Sequence, residues 1–257
     1  MIPTRAWVRL NSGRRLNLFN PDHDSWTDAD LAIGLSRTYR WGGHSIWDLP
    51  LSVAQHSLLV LALREQLHGA PLTRLQGLCE LLHDAPEGLL GFDPISPVKP
   101  HLGFSFKRFD ARLAAAISSR YGLPAWSVQD YAAHKRADRK AAASEAAHVA
   151  GWSWDEIRHT SQIDDCPVTD DPVPVAEDLV PWRPRTPQIV ASVFIVKLRE
   201  LLAPGPSTRS PGDLAEVIER EATLRRLASA FSRLPERVRR RCSRPPTGCV
   251  VRHLCLR

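Results

Sequence analysis

The stretch LCELLHDAPE, at residues 78–87, decides how the centre of the chain folds. Its apolar residues recur at helical spacing, while Glu80, His83, Asp84 and Glu87 follow at positions i, i+3, i+4 and i+7 on the other side. This pattern predicts a helix over residues 72–85, which Pro86 kinks or ends because proline has no backbone N–H to donate. Periodicity alone favours a solvated helix face for the polar residues.

A metal site is the second interpretation of the same stretch. It contains no lysine or arginine, so its carboxylates and its imidazole crowd together without a counter-charge. Adjacent His83 and Asp84 offer a nitrogen and an oxygen ligand to one divalent ion. Two further candidates are His56, on the preceding predicted helix, and Asp138, within the segment KRADR at residues 135–139. Taken alone, His56 is typical of a satisfied core histidine and Asp138 of a surface ion pair.

Outward from this stretch, the pattern predicts an all-α body, because strand signals are scarce. Residues 1–21 are predicted to be irregular or to form a short strand. Thr27 or Asp28 caps the first helix, and Ser52 caps the second, which ends near Leu67. Residues 153–187, rich in acidic residues and proline, predict a long connection or lid outside the core. Further helices are predicted over residues 104–121, 124–150 and 188–202, with a proline-rich loop over residues 91–103.

The net charge of +6 is unevenly distributed along the 257 residues. Residues 204–257 hold 12 arginines, no lysine and five acidic residues, whereas residues 1–203 hold 22 basic and 23 acidic residues. A linker rich in proline and glycine follows residue 203. We therefore predict two parts, a body over residues 1–203 and an Arg-rich, flexible C-terminal extension over residues 204–257, in which residues 213–234 could form one helix.

Composition also indicates where the protein is found. The longest aliphatic run has six residues, at positions 58–63, whereas a membrane-spanning helix needs about 20. The first ten residues lack the apolar core of a secretion signal. The five cysteines form neither a CxxC pair nor zinc-finger spacing, which is typical of free thiols. We expect a cytoplasmic protein without membrane contact.

A family resemblance joins these candidates. The ordered set His56, His83-Asp84 and Asp138 resembles the H…HD…D signature of the HD-domain metal-dependent phosphohydrolases. The chain is most similar to the branch that includes bacterial 5′-deoxynucleotidases and phage deoxynucleoside triphosphohydrolases. The resemblance covers roughly residues 5–202. It is also carried by LSR at 35–37, RW at 40–41, SVAQHS at 52–57, LLHDAPE at 81–87, SPVK at 96–99 and KRADR at 135–139. Relatives usually have Gly-Asp where this chain has Gly-Phe-Asp at residues 91–93.

The resemblance implies an HD-domain helical bundle with one divalent metal ion, whether Mn, Co, Zn, Fe or Mg, held by His56, His83, Asp84 and Asp138. It implies that Glu87 is the catalytic acid or base. The expected substrate-binding residues are Arg40 and Lys99 for phosphate, Trp41 for the base or sugar, Asp93, and His44 at the pocket mouth. Trp41 is equally typical of core packing.

Three functions remain open from the sequence. The resemblance favours a 5′-nucleotidase acting on deoxynucleoside monophosphates, with a deoxynucleoside triphosphate triphosphohydrolase as the alternative. A protein that binds nucleic acid through its basic extension is an alternative of another class, although Phe231 is the single aromatic residue there. Relatives are often homodimers. A nucleotide substrate, a homodimer and weak nucleic-acid contact through the extension are therefore the partners to test.

Overall fold

The body of the protein is mostly helical, as predicted, in a computed structural model that describes residues 6–173 and 180–203. The predicted extension over residues 204–257 lies outside the described residues, so the domain boundary stays a prediction. None of the described helices combines the length and apolar composition needed to span a lipid bilayer. In chain order the elements are β1 (Trp7–Arg9), β2 (Arg15–Asn17), α1 (Asp28–Arg37), α2 (Val53–His68), α3 (Arg74–Leu81), α4 (Ala85–Leu90), α5 (Gly103–Tyr121), α6 (Val128–His148), α7 (Trp154–His159) and α8 (Pro187–Leu202).

The N-terminal hairpin of β1 and β2 closes one end of the core. The strands pair antiparallel, with Val8 opposite Leu16, and Gly13 takes the left-handed backbone (φ 85°) that the intervening turn requires. Leu16 is fully buried and lies in the same apolar cluster as the fully buried Trp26. The hairpin is therefore anchored by one inward side chain.

The two predicted N-caps are confirmed. The Thr27 hydroxyl accepts from the backbone N–H of Asp30, and the Asp30 carboxylate accepts from the Thr27 backbone N–H, so α1 begins with a capping box. Ser52 accepts from the Gln55 backbone N–H at 3.2 Å and starts α2. Helix α2 ends at His68, one residue beyond the predicted end.

Helix α2 is the central element of the body. It packs against α1, α3, α6 and α8, and its residues are buried without a break from Val53 to Leu61. A surface helix would bury one stripe only, so this helix is surrounded by its neighbours. His56 therefore lies in the interior, with none of its side chain exposed.

The single helix predicted over residues 72–85 is wrong. Helix α3 ends at Leu81, and α4 begins at Ala85 with proline in its first turn. Pro86 can neither donate a helical hydrogen bond nor fit against the carbonyl four residues before it, so the helix must stop before it and restart. His83 and Asp84 consequently lie in the turn between two helices.

Two other predicted boundaries need correction. Helix α6 begins at Val128, four residues after the predicted start. Ser127 has extended backbone, and its hydroxyl accepts from the backbone N–H of Asp130 as the N-cap of the helix. Residues 153–187 are not merely a connection: they contain α7, and Ile157, Val173 and Trp182 are buried. Isolated apolar residues in an acidic, proline-rich segment give no periodic signal, so their burial was not predictable.

Two glycines allow α1 and α4 to approach closely. A Cβ at Gly34 would lie 2.2 Å from the backbone oxygen of Gly88, and one at Gly88 would lie 2.5 Å from Leu35 Cγ. These distances are well inside van der Waals contact. The crossing of α1 and α4 therefore depends on hydrogen atoms at both positions, and it fixes α4, which carries Glu87.

We expect Gly34→Ala to lower the free energy of unfolding by about 1–3 kcal/mol, the usual cost of forcing extra atoms into a packed core. Thermal or urea unfolding measures the change. At an open helical position the same substitution stabilises, because alanine has the higher helix propensity by about 1 kcal/mol. An unchanged or raised stability of Gly34→Ala would contradict the close packing of α1 on α4.

Candidate metal centre

Ligand atoms of His56, His83 and Asp84 lie within 4.8 Å of one another, and the fourth predicted ligand, Asp138, adjoins this cluster through His56. His56 Nε2 lies 3.3 Å from His83 Nε2, 3.4 Å from Asp84 Oδ2 and 3.5 Å from Asp138 Oδ1. His83 Nε2 lies 3.2 Å from Asp84 Oδ2. Helix α2 supplies His56, the α3–α4 turn supplies His83 and Asp84, and α6 supplies Asp138. The structure therefore brings together residues that are up to 82 positions apart in the sequence.

The break between α3 and α4 aims His83 at this point. His83 Nδ1 lies 2.7 Å from the backbone oxygen of Glu80, to which it can donate, and this leaves the lone pair of Nε2 directed at the other ligands. Glu80 and Glu87 are 1% and 6% exposed. The interpretation of residues 80–87 as a solvated face is therefore wrong: both outer carboxylates point inward.

The donor set fits a divalent metal ion. Two imidazole nitrogens and two carboxylate oxygens form a ligand set that zinc and other first-row divalent ions accept. Burial and the charge of Arg40 both act to lower the pKa of His56. The charge of Glu145 and the hydrogen bonds to Asp138 and Glu145 outweigh them and raise this pKa to about 10. The carboxylates therefore favour a cation at this point, whether a proton or a metal ion provides the charge.

The carboxylates of the cluster stay ionised. Burial acts to raise the pKa of Asp84 and Asp138, but the neighbouring imidazoles outweigh it and hold both pKa values below the usual range. The remaining oxygen of Asp138, Oδ2, accepts from Lys135 Nζ at 2.5 Å. Lys135 thus orients the Asp138 carboxylate and leaves Oδ1 facing the cluster.

Helix α6 also supplies two buried residues that the sequence analysis missed. Glu145 Oε1 lies 2.5 Å from His56 Nδ1, and His134 Nδ1 lies 2.8 Å from Glu80 Oε2. The His134 ring packs 4.8 Å from that of His83 and stacks on Trp126 at 4.8 Å. His134 lies four residues before Asp138 and Glu145 lies seven after it, so all three share one helix face. This spacing was the signal in the sequence that could have identified them.

The predicted catalytic residue Glu87 lies in a second polar group beside the metal ligands. Lys99 Nζ donates to Glu87 Oε1 at 2.8 Å and lies 4.0 Å from Asp93 Oδ1. Arg40 Nη1 lies 3.5 Å from Asp93 Oδ2. Burial, with the charges of Asp84 and Asp93, raises the pKa of Glu87 to about 9. Four predicted site residues therefore form one connected group.

Two oxygens of this group have no partner among the described residues. Glu87 Oε2 and Asp93 Oδ1 are buried yet accept no hydrogen bond there. A buried polar atom without a hydrogen-bond partner costs about 1–3 kcal/mol, so both atoms are suited to a hydrogen bond with a bound molecule. Asp93 belongs to the same group as Arg40 and Lys99 because its two oxygens face them.

The two remaining predicted substrate residues differ in placement. Trp41 is half-buried: its indole N–H donates to Glu145 Oε2 at 3.1 Å and its ring packs 5.9 Å from that of Trp152. This favours the packing interpretation of Trp41. His44 is exposed, and no hydrogen bond or ion pair within residues 6–173 and 180–203 joins its side chain to the cluster. Its predicted role therefore has no support from contacts.

Comparison with known proteins gives one informative relative. No protein-family profile matches the chain. A protein of Rhodobacter capsulatus, described as uncharacterized, is 43% identical over 150 residues, which cover 58% of this chain and 76% of the relative. Identity at this level over most of the relative's length establishes common family membership. The chain therefore belongs to the same family as this Rhodobacter capsulatus protein.

Proposed function

We propose that this protein is an HD-domain metal-dependent phosphohydrolase that acts on nucleotides. The observation that carries the proposal is the cluster of His56, His83 and Asp84, with Asp138 against His56 and a buried Glu87 beside it. A lone His-Asp pair is common in proteins. Three mutually close ligand atoms, with Asp138 adjoining them from a third element in the order of the HD signature, support a built metal centre.

The residues around the centre fit hydrolysis of a phosphate ester. A divalent ion held by the four ligands supplies Lewis acidity towards a phosphate oxygen and raises the acidity of a nearby water. Glu87, kept protonated by its burial, donates its proton to the oxygen that leaves phosphorus as water attacks. The proton lost by the attacking water then passes to solvent or back to Glu87, which restores the acid.

Two cations next to Glu87 are suited to the phosphate. Lys99 is 40% exposed at its side chain, and Arg40 keeps one edge of its guanidinium beside Asp93. Both carry the positive charge that phosphate binding needs, and arginine adds a bidentate fork. The unpartnered Asp93 Oδ1 would accept from a hydroxyl group of the substrate, and the unpartnered Glu87 Oε2 would carry the proton for the leaving oxygen.

Within this class we propose a 5′-nucleotidase on deoxynucleoside monophosphates, with triphosphohydrolysis of deoxynucleoside triphosphates as the alternative. The test is product analysis with the full chain and Mn²⁺ across deoxynucleoside and ribonucleoside mono- and triphosphates. Free phosphate from the monophosphates supports the preferred function, and inorganic triphosphate supports the alternative. No product from any nucleotide would contradict the enzyme and favour a nucleic-acid binder.

A chelator gives the control for the same experiment. EDTA is expected to stop hydrolysis, and excess Mn²⁺ or Co²⁺ is expected to restore it. Hydrolysis that persists in EDTA at the original rate would assign the activity to another mechanism. The cytoplasmic location, the homodimer and nucleic-acid contact through residues 204–257 stay predictions.

A further inference from the structure

Glu145 is the most completely buried carboxylate beside the candidate metal centre. Its side chain has no exposed surface, and it accepts from donors of three residues: His56, Arg40 and Trp41. His56 and Arg40 outweigh burial and keep the pKa of Glu145 below its usual value. A buried carboxylate is retained only when its charge is paired and hydrogen-bonded. The partners of Glu145 come from two different parts of the site, one being His56 and the other the segment Arg40–Trp41.

The first oxygen of Glu145 faces the metal ligand. Oε1 lies 2.5 Å from His56 Nδ1, so the carboxylate fixes the proton on Nδ1. A neutral imidazole with its proton on Nδ1 has its lone pair on Nε2. Nε2 is the atom that faces His83, Asp84 and Asp138. When His56 is neutral, Glu145 therefore leaves Nε2, the nitrogen directed at the cluster, free to bind a metal ion.

The second oxygen holds the segment that follows α1. Oε2 accepts from Arg40 Nε at 3.3 Å and from Trp41 Nε1 at 3.1 Å. Trp41, Gly42 and Gly43 all have left-handed backbone, with φ of 56°, 62° and 81°. Such a conformation costs a residue with a Cβ about 1–2 kcal/mol, so Trp41 needs side-chain contacts to keep it. Glu145 provides one of them.

We propose that Glu145 is a positioning residue that joins the metal ligand His56 to the segment Arg40–Trp41, in which Arg40 is the proposed phosphate-binding residue. This inference rests on the proposed function and deepens it. One rigid carboxylate sets the tautomer of His56 with Oε1 and the position of Arg40 and Trp41 with Oε2. The phosphate-binding arginine is thereby held at a fixed position relative to the metal ligands.

The Glu145→Gln variant separates this role from simple packing, because it keeps the shape and removes one acceptor. If its oxygen faces His56, its NH₂ group meets the N–H donors of Arg40 and Trp41. If its NH₂ group faces His56, Nδ1 must become the acceptor and the proton moves to Nε2, which then cannot bind metal. Glutamine cannot satisfy both sides.

The experiment uses the full chain and compares four proteins: wild type, Glu145→Gln, Trp41→Phe and the exposed control Glu200→Gln. Calorimetric titration with Mn²⁺ gives metal affinity, and hydrogen–deuterium exchange follows the turn amides of Gly43 and His44, which bond to Arg40 and Trp41 carbonyls. Trp41→Phe keeps an aromatic side chain and removes the donor to Glu145 together with part of the ring area. The side chain of Glu200 is 64% exposed, and among the described residues it forms an ion pair with Lys197 alone.

We expect Glu145→Gln to weaken Mn²⁺ binding by about 10- to 100-fold, the usual effect of losing a partner of a metal-bound histidine. It should also speed exchange at the turn amides by about tenfold, because a hydrogen bond to a charged group is lost. Trp41→Phe should speed exchange while Mn²⁺ affinity stays within about twofold of wild type. Glu200→Gln should change neither quantity.

Each of the following results would overturn the role. Unchanged Mn²⁺ affinity in Glu145→Gln removes the link to His56, and unchanged amide exchange removes the link to Trp41. A wild-type chain that binds no divalent ion overturns the proposed function together with this inference. If Glu145→Gln does not fold, Glu145→Asp replaces it in the experiment. This variant keeps the negative charge, but its side chain is shorter by one methylene. A folded Glu145→Asp with wild-type Mn²⁺ affinity would likewise contradict the role.

Discussion

Replacing Glu87 by glutamine is expected to lower kcat for nucleotide hydrolysis by about 100-fold or more, the scale of general acid–base catalysis, while the divalent ion stays bound. The oxygen that accepts from Lys99 is kept as the carbonyl oxygen of the glutamine amide, so the shape of the site is kept. What disappears is the proton that Glu87 would give to the leaving oxygen. Steady-state kinetics and metal analysis of the purified variant measure the two effects separately.

The pH profile adds a signature to this prediction. Burial and the charges of Asp84 and Asp93 raise the pKa of Glu87 to about 9, so the acid is protonated at neutral pH. Activity should fall as pH rises through that pKa, because the proton donor is then lost. A bound divalent ion lowers the pKa, so the fall is expected at or below about pH 9. The Glu87→Gln variant should show no such fall.

Two results would contradict this role of Glu87. Loss of metal from Glu87→Gln would make the residue a ligand, and an unchanged alkaline fall in the variant would assign the titration to another group. Glu200→Gln is the matched control, because it makes the same carboxylate-to-amide change at a surface pair. It should retain wild-type kcat and the wild-type pH profile.

Asp84→Ala is expected to reduce both bound metal and activity, with a rate loss of at least about 1,000-fold. Asp84 Oδ2 lies 3.4 Å and 3.2 Å from the two histidine nitrogens, so its removal leaves an incomplete ligand set. The Lewis acidity of a divalent ion is worth several kcal/mol, and each 1.4 kcal/mol is a factor of ten in rate. Elemental analysis and phosphate release measure the two losses.

The control for this variant is Asp48→Ala. The side chain of Asp48 is 93% exposed, and its Oδ2 lies 3.7 Å from Arg183 Nη2 in a surface ion pair. We expect full metal content and full rate from it. An Asp84→Ala protein that binds metal as tightly as wild type, or that hydrolyses nucleotides at the wild-type rate, would show that the ligand set is misassigned.

Local signals in the sequence predicted much of the fold. The caps Thr27 and Ser52 act on their own first turns, so they could be recognised from neighbouring residues alone. The break between α3 and α4 was harder, because the apolar spacing continues through it and only Pro86 interrupts the pattern. The helical period therefore predicted one helix where the structure has two. The turn between these two helices carries His83 and Asp84.

The candidate metal ligands were selected through the resemblance, not through spacing. His56 and Asp138 each had a common structural explanation, and only their order suggested a shared site. Glu145 was missed because it stands in an alanine-rich stretch of α6, where a glutamate is typical of a solvated face. Its burial depends on packing between α2 and α6, which no single helix encodes.

The most direct test of the central claim is calorimetric titration of Mn²⁺ into wild-type protein and Asp138→Ala. Asp138 is the ligand most distant in sequence from the other three, and its Oδ1 lies 3.5 Å from His56 Nε2. If the four residues form one centre, the wild type binds a single ion per chain and Asp138→Ala binds it at least about tenfold more weakly. Equal affinity of the two proteins, or no binding by the wild type, would contradict the metal centre.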